Sequence, residues 1–357
     1  MSDGVLQNTT NLYGSNCLTI EQDFKDLPNR YNNQDLTNKT LFLIREGGCG
    51  DLLFLSPATK YLKEKYSGIT IFQACMPVYH SVFNNHKYID KVFPHIFPYE
   101  DFIKADYFAT FEGVIEGNKE AEITNAYDLF INRLGIPLSE IPVKIPNFVV
   151  SEKVKEYWKM VLNGQFSEGK NIGYQLRASS PIRTLPYNLS AEIIRKLTEK
   201  GFKVFLLEST DRKHEVARFI QHFQLQNVVD CSPYSDNFER LAGIISLMDI
   251  FVGPDSSGNH LAAGLNIPLV GLFGPFRSSL RIKTYNNAVG IDCAASRCNN
   301  GNGCYQHSYD LCSFAQELGI QHAPCFNLMN SGIVLEQVEK LFIKSKLREF
   351  NKEVANA

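Results

Sequence analysis

Short runs of β-branched and aromatic residues alternate along this chain with stretches whose apolar positions recur every three to four residues. TLFLI at 40–44 predicts a buried strand, and the following segment, to about Tyr66, predicts a helix. ITIFQAC (69–75) reads as the next strand, and a further helix falls within EAEITNAYDLFINRLG (120–135). IPLSEIPVKIPNF (136–148) places three prolines within ten residues and reads as an extended connector. A second series follows. KNIGYQL (170–176) is a strand; LSAEIIRKLTEKG (189–201) is a helix with Ser190 as N-cap, an apolar face at Ile193, Ile194 and Leu197, and Gly201 as its stop. FKVFLLE is then a strand, RLAGIISLMD a helix, IFVGPDSS a strand and turn, GNHLAAGLN a helix, and IPLVGLFGP a buried strand and turn.

Strands alternating with helices predict parallel sheets covered on both faces, an α/β class built as two successive doubly wound units. The expected division is an N-terminal extension over 1–38, rich in Asn, Thr, Asp and Gln and draped or poorly ordered, a first domain over 39–150, a second over 151–345, and a tail over 346–357. In such sheets ligands bind beyond the carboxyl ends of the strands, so the informative loops are 45–51, 177–186, 208–211, 253–260 and 273–281.

Composition narrows the class of protein. A chain of 357 residues with 44% hydrophobic content buries a large core, and a formal charge of -2 gives no global attraction to nucleic acid or anionic membrane. No apolar run reaches the roughly 18 residues of a spanning helix, and the start MSDGVLQNTTNLYGSN lacks a basic and apolar leader. The expected location is therefore cytoplasmic, with peripheral membrane contact left open. Nine cysteines, without a secretory signal, read as reduced thiols or metal ligands.

Three loops carry candidate chemistry. In REGGCGD the glycines Gly47, Gly48 and Gly50 allow a sharp turn and close approach of another molecule, and Asp51 stands at a helix start. The alternative is an ordinary turn in which Asp51 caps backbone amides. The spacing is not G-x-G-x-x-G, and Pro57 must kink the helix or move its start to about Ser56. In GPDSSGNHLAAGL, Asp255 and Ser256 are placed to cap a helix whose amides at 256–259 suit a phosphate, with Ser257 and His260 beside it; a core histidine is the plainer alternative. RASSPIRTLP offers Arg177 and Arg183 for gripping a diphosphate, or simply two solvated arginines.

Taken together and in this order, IREGGCGDLLFLSPATKYL, SSPIRTLPYNLSAEI and DIFVGPDSSGNHLAAGLNIPLVGLFGPF resemble the motifs of the heptosyltransferase-type glycosyltransferases of family 9, over residues 40–345. The resemblance implies GT-B architecture, two Rossmann-like domains facing across a cleft, with a nucleotide-sugar on the second and an acceptor on the first. It implies that Asp51 is the general base, that Arg183 stands where the family keeps a phosphate-binding Lys, and that Ser256, Ser257 and His260 complete the phosphate site. Asp211 aligns loosely with an acid that meets the nucleoside, or is a helix cap. No cofactor or catalytic magnesium is expected, since fixed positive charge would meet the leaving diphosphate. Departures from the family pattern are SSG where SG is usual, Thr184 and Leu185 in place of an Arg-Trp pair, and Cys49 inside the glycine loop.

The implied reaction is inverting transfer of a heptose-like sugar, from ADP-heptose or another nucleoside-diphosphate sugar, to a saccharide hydroxyl such as one of a lipopolysaccharide core. A protein acceptor, as in the autotransporter heptosyltransferases, a modified nucleobase acceptor, an epimerase on the same scaffold and a non-catalytic nucleotide-sugar binder are the alternatives. Finally, Cys293, Cys298, Cys304, Cys312 and Cys325 fall within 293–325, a segment too poor in apolar residues to hold itself by a core. By position the resemblance implies a structural zinc or iron on Cys298, Cys304, Cys312 and Cys325, with Cys293 spare.

Overall fold

A computed structural model describes residues 27–84, 86–293, 304 and 312–356, the side chains of residues 349 and 352–356 excepted. Cys298 lies outside them. The chain forms two compact units, the first ending at Phe148 and the second starting at Val149.

In the first unit, strands β1 (Asn29–Arg30), β2 (Thr40–Ile44), β3 (Thr70–Cys75), β4 (Lys91–Pro94) and β5 (Tyr107–Thr110) build one parallel sheet in the order β1-β5-β2-β3-β4. Its helices are α1 (Cys49–Lys65), α2 (Tyr99–Phe102) and α3 (Ala126–Arg133). Chain order reverses between β2 and β5, which is the topological switch point where open α/β sheets hold ligands. Ile44 at the end of β2 sits opposite Thr110 of β5 and Ala74 of β3. Phe42 is fully buried, with the rings of Phe72, Phe93, Phe97 and Phe102 around it at centroid separations of 4.7–6.1 Å.

Helix α1 runs through Pro57. Proline cannot donate to the carbonyl four residues earlier; here the Ser56 hydroxyl donates to Leu53 O instead, at 2.7 Å, so the carbonyl is not orphaned. Within 120–135 the expected helix is α3: Asn125 Oδ1 accepts Tyr127 N and so starts it at Ala126, with one 3-10 turn at Lys119–Glu122 before it. Residues 29–36 belong to the folded unit rather than to an extension: β1 pairs with β5 through main-chain groups, and Tyr31 and Leu36 are buried. Backbone pairing by a two-residue strand leaves no side-chain period to read.

In the second unit, strands β6 (Asn171–Tyr174), β7 (Lys203–Leu206), β8 (Val228–Asp230), β9 (Ile250–Pro254), β10 (Leu269–Phe273) and β11 (Ala288–Asp292) form a parallel sheet in the order β11-β10-β9-β6-β7-β8, with the switch point between β6 and β9. The helices are α4 (Glu152–Val161), α5 (Tyr187–Glu199), α6 (Lys213–Phe223), α7 (Phe238–Ile245), α8 (Ser257–Gly264), α9 (Ser313–Leu318) and α10 (Ser331–Asn356). Every residue of β9 and β10 is buried, as expected of central strands covered on both faces. Helix α5 starts one turn earlier than Ser190: Pro186 occupies the N-cap, and Ser190 is buried inside the helix. Its stop is as read, with Gly201 at φ 81°, a conformation a side chain disfavours. The residues expected to form a tail, 346–356, continue α10. Among the described residues no helix is long and apolar enough to cross a membrane.

Candidate active site

The chemistry-bearing side chains gather at the two switch points. In the first unit, the loop leaving β2 turns at Gly48, whose φ of 72° favours glycine and where a Cβ would collide with the Asp51 carboxylate folded over it. Gly47 is open to its surroundings, and Gly50 lies in the first turn of α1. The N-cap of that helix is Gly48, and Asp51 stands in its first turn. Its Oδ2 forms an ion pair with Nη2 of Arg45, whose side chain is only 3% exposed against 17% for Asp51. The same guanidinium donates Nη1 to Phe111 O and to Glu112 Oε2, both at 3.2 Å, and grips Glu116 with both nitrogens, Nη1 to Oε2 at 3.2 Å and Nη2 to Oε1 at 2.6 Å. Glu112 in turn accepts Glu46 N at 2.6 Å. One buried cation thus serves three carboxylates at the carboxyl edge of adjacent strands β2 and β5. Burial raises Glu112 above the ordinary Glu range even though Arg45 pulls it down.

The second unit builds a site of opposite character around the start of α8. Ser256 is the N-cap: its Oγ accepts Gly258 N at 3.3 Å and donates to Gln175 Oε1 at 2.6 Å, tying the end of β9 to the end of β6. Gly258 is required there, since a Cβ would meet Gln175 Oε1 and the Phe251 ring. Ser257 opens the helix; Gly258 N and Asn259 N are taken by Ser256 Oγ and Ser256 O, and the positive end of the helix dipole lies at this strand end. Arg183 reaches this point, donating Nη1 to Asp255 O at 2.9 Å and Nη2 to Ser179 Oγ at 2.8 Å. Its guanidinium lies 3.6 Å from Asp255 Oδ2, a buried atom with no hydrogen-bond donor among the described residues.

The remaining predicted residues are placed differently. His260 is buried, its Nδ1 2.7 Å from the Tyr285 hydroxyl, and burial lowers its pKa to about 4, so the imidazole is neutral at pH 7. Arg177 points away from Arg183 and is bound to Glu215 and Tyr187. Asp211 is 72% exposed and lines, with Tyr187, Arg212, Glu215 and Arg218, a cavity of about 770 Å³. Of the cysteines, Cys325 has Cys293 as its thiol neighbour: their hydrogen bond raises Cys293 and lowers Cys325, and Cys293 Sγ also lies 3.0 Å from Phe273 O. Cys304 and Cys312 pack against the same apolar cluster, Cys312 accepting Ala315 N at 3.4 Å. Among the described residues no three metal-ligating side chains converge, so these residues do not by themselves assemble the expected metal site.

Sequence reasoning missed Arg45, Glu112, Glu116, Gln175 and Glu208. Glu208, at the end of β7, accepts Leu176 N at 2.9 Å and Arg177 N at 2.8 Å through Oε1, and burial pushes its pKa up to about 7. The available signal was a carboxylate immediately after an apolar strand, in FLLE and again in YFATFEGVIEG.

Comparison with known proteins gives the family and the fold. The family model described as glycosyltransferase family 9 (heptosyltransferase) matches residues 115–305, more than half of the chain. The chain belongs to glycosyltransferase family 9. Lipopolysaccharide heptosyltransferase 2 of Escherichia coli K12 is 30% identical over 163 residues, 44% of this chain and 45% of that protein, so the match spans less than half the length of this curated relative. Among solved structures, the E. coli ADP-heptose lipopolysaccharide heptosyltransferase II superposes with a TM-score of 0.65 at 16% identity, covering 86% of this chain and 99% of that one. The iron-containing dodecameric glycosyltransferase TibC of enterotoxigenic E. coli superposes with a TM-score of 0.60 at 12% identity, covering 89% and 78%. At these identities the likeness concerns the fold: each unit of this family 9 chain is a Rossmann-like α/β domain of the GT-B heptosyltransferases.

Proposed function

We propose that this family 9 glycosyltransferase moves a heptose-like sugar from a nucleoside-diphosphate sugar, with ADP-heptose the first donor to try, to a hydroxyl of a saccharide acceptor, with inversion at the anomeric carbon. The observation that carries the proposal is Asp51: a partly exposed carboxylate at the β2/β5 switch point, folded over Gly48 and held by a buried arginine. In that place it takes the proton from the acceptor hydroxyl as the oxygen attacks the anomeric carbon and the bond to the diphosphate breaks.

The second unit supplies what the departing diphosphate needs. Arg183 and the positive end of the α8 dipole present fixed positive charge to the oxygens on which negative charge grows. Asp255 Oδ2, buried and lacking a donor among the described residues, suits a sugar hydroxyl. Neutral His260, fixed by Tyr285, supports the helix start from within rather than adding charge.

Asp51→Asn keeps the shape of the site and removes the base. Transfer from ADP-heptose to lipopolysaccharide core extract should fall about 10²- to 10⁴-fold while ADP binding, measured calorimetrically, stays unchanged. Undiminished transfer would remove Asp51 from the chemistry.

A further inference from the structure

The cation beside Asp51 is not its own. Arg45 is buried, and its two terminal nitrogens are divided among Asp51, Glu112, Glu116 and Phe111 O. Glu116 holds the guanidinium in the two-point fork that arginine and carboxylate prefer, whereas Asp51 meets it through a single oxygen. Three other titratable or charged groups stand around this edge. Glu46 gives its amide to Glu112 and its charge adds to the repulsion there, Arg133 of α3 donates to Thr110 O at 2.9 Å, and His80, on the turn after β3, is 3.3 Å from Cys75 O.

We infer that Glu116 is a positioning residue for the reaction, which sets the basicity of Asp51 by competing with it for Arg45. The physical reason is direct. A carboxylate that owned a buried arginine would be driven to a low proton affinity, by one to three pH units in typical cases, and would be a poor general base. Two further carboxylates on the same cation weaken that pull and add repulsion of their own, which favours uptake of the proton that a base must take. Glu112 is raised chiefly by burial, and the negative charge of Glu116 and Glu46 adds to the rise. Glu116 is 52% exposed, so it can be altered without disturbing the core.

The inference rests on Asp51 being the base, but its first test does not. In the full chain labelled with ¹³C at Asp and Glu carboxyls, comparison with Asp51→Asn assigns the Asp51 signal, which is followed through a pH titration. Glu116→Gln removes the competitor, and the Asp51 midpoint should fall by about one pH unit. Arg45→Met removes the shared cation, and the midpoint should rise; if that variant does not fold, Glu116→Gln alone decides. A midpoint that stays put in Glu116→Gln, or rises, overturns the inference. With ADP-heptose and core extract, Glu116→Gln should also move the acidic limb of the kcat/KM profile down by the same interval, with kcat lowered and KM for donor unchanged. Should Asp51→Asn still transfer sugar while the titration behaves as stated, the sharing of Arg45 stands and the assignment of Asp51 as base falls.

Discussion

Glu208 gives the molecule a pH-dependence that can be worked out in advance. Its carboxylate is buried behind the β6/β7 edge and accepts two amides, Leu176 N and Arg177 N, yet burial outweighs these bonds and moves its pKa from 4.5 to about 7. Between those two values the folded chain holds a proton on Glu208 that the unfolded chain has released. Stability therefore declines as pH rises from about 4.5 to 7, by 1.36 kcal/mol for each pH unit, or on the order of 3 kcal/mol in total. Glu208→Gln cannot titrate, and its amide oxygen still accepts both backbone donors. Whatever constant offset the buried amide nitrogen introduces, the variant should lose this slope. His260 contributes in the opposite sense, since its lowered pKa adds stability as pH rises from about 4 to 6.5, but it is common to both proteins and cancels in the difference. Trp158, the chain's single tryptophan, is buried in the second unit, so its fluorescence follows the unfolding of the unit that contains Glu208. Urea titrations of both proteins at pH 5 and pH 8 should show wild type gaining on the variant at pH 5. Equal differences at the two pH values would mean that Glu208 is ionised throughout and that its two amides outweigh its burial.

Ser56→Ala should cost about 1–3 kcal/mol in the first unit, because the hydroxyl that stands in for the missing Pro57 amide at Leu53 O also accepts Asn147 N at 2.8 Å; circular dichroism through a urea titration measures it. Arg183→Ala should weaken ADP binding about 30- to 150-fold by calorimetry, the equivalent of losing one charge-assisted contact of roughly 2–3 kcal/mol, and intact affinity would place the diphosphate elsewhere.

What the sequence disclosed and what it hid divide along sequence separation. The turn REGGCGD, the strand before it and the helix after it are contiguous, so local patterning located Asp51, and the same holds for Asp255, Ser256 and Ser257 between β9 and α8. Arg45 stood in the quoted motif, but its partners Glu112 and Glu116 are 67 and 71 positions away and arrive only because β5 lies alongside β2, on the far side from β3. His260 was placed near a phosphate by its distance from the helix start; Tyr285, 25 positions on, shows that its ring faces the interior. Arg177 and Arg183 share one loop, and only the fold reveals that Glu215, 38 positions from Arg177, draws the first away while Asp255 keeps the second. Cys325 found Cys293 for the same reason: the strand that ends at Phe273 fixes Cys293, and no spacing rule records that. A motif names the residue types available at a strand end. Which charge each of them carries is decided by the neighbouring strand, and for Asp51 that neighbour brings two carboxylates to one arginine.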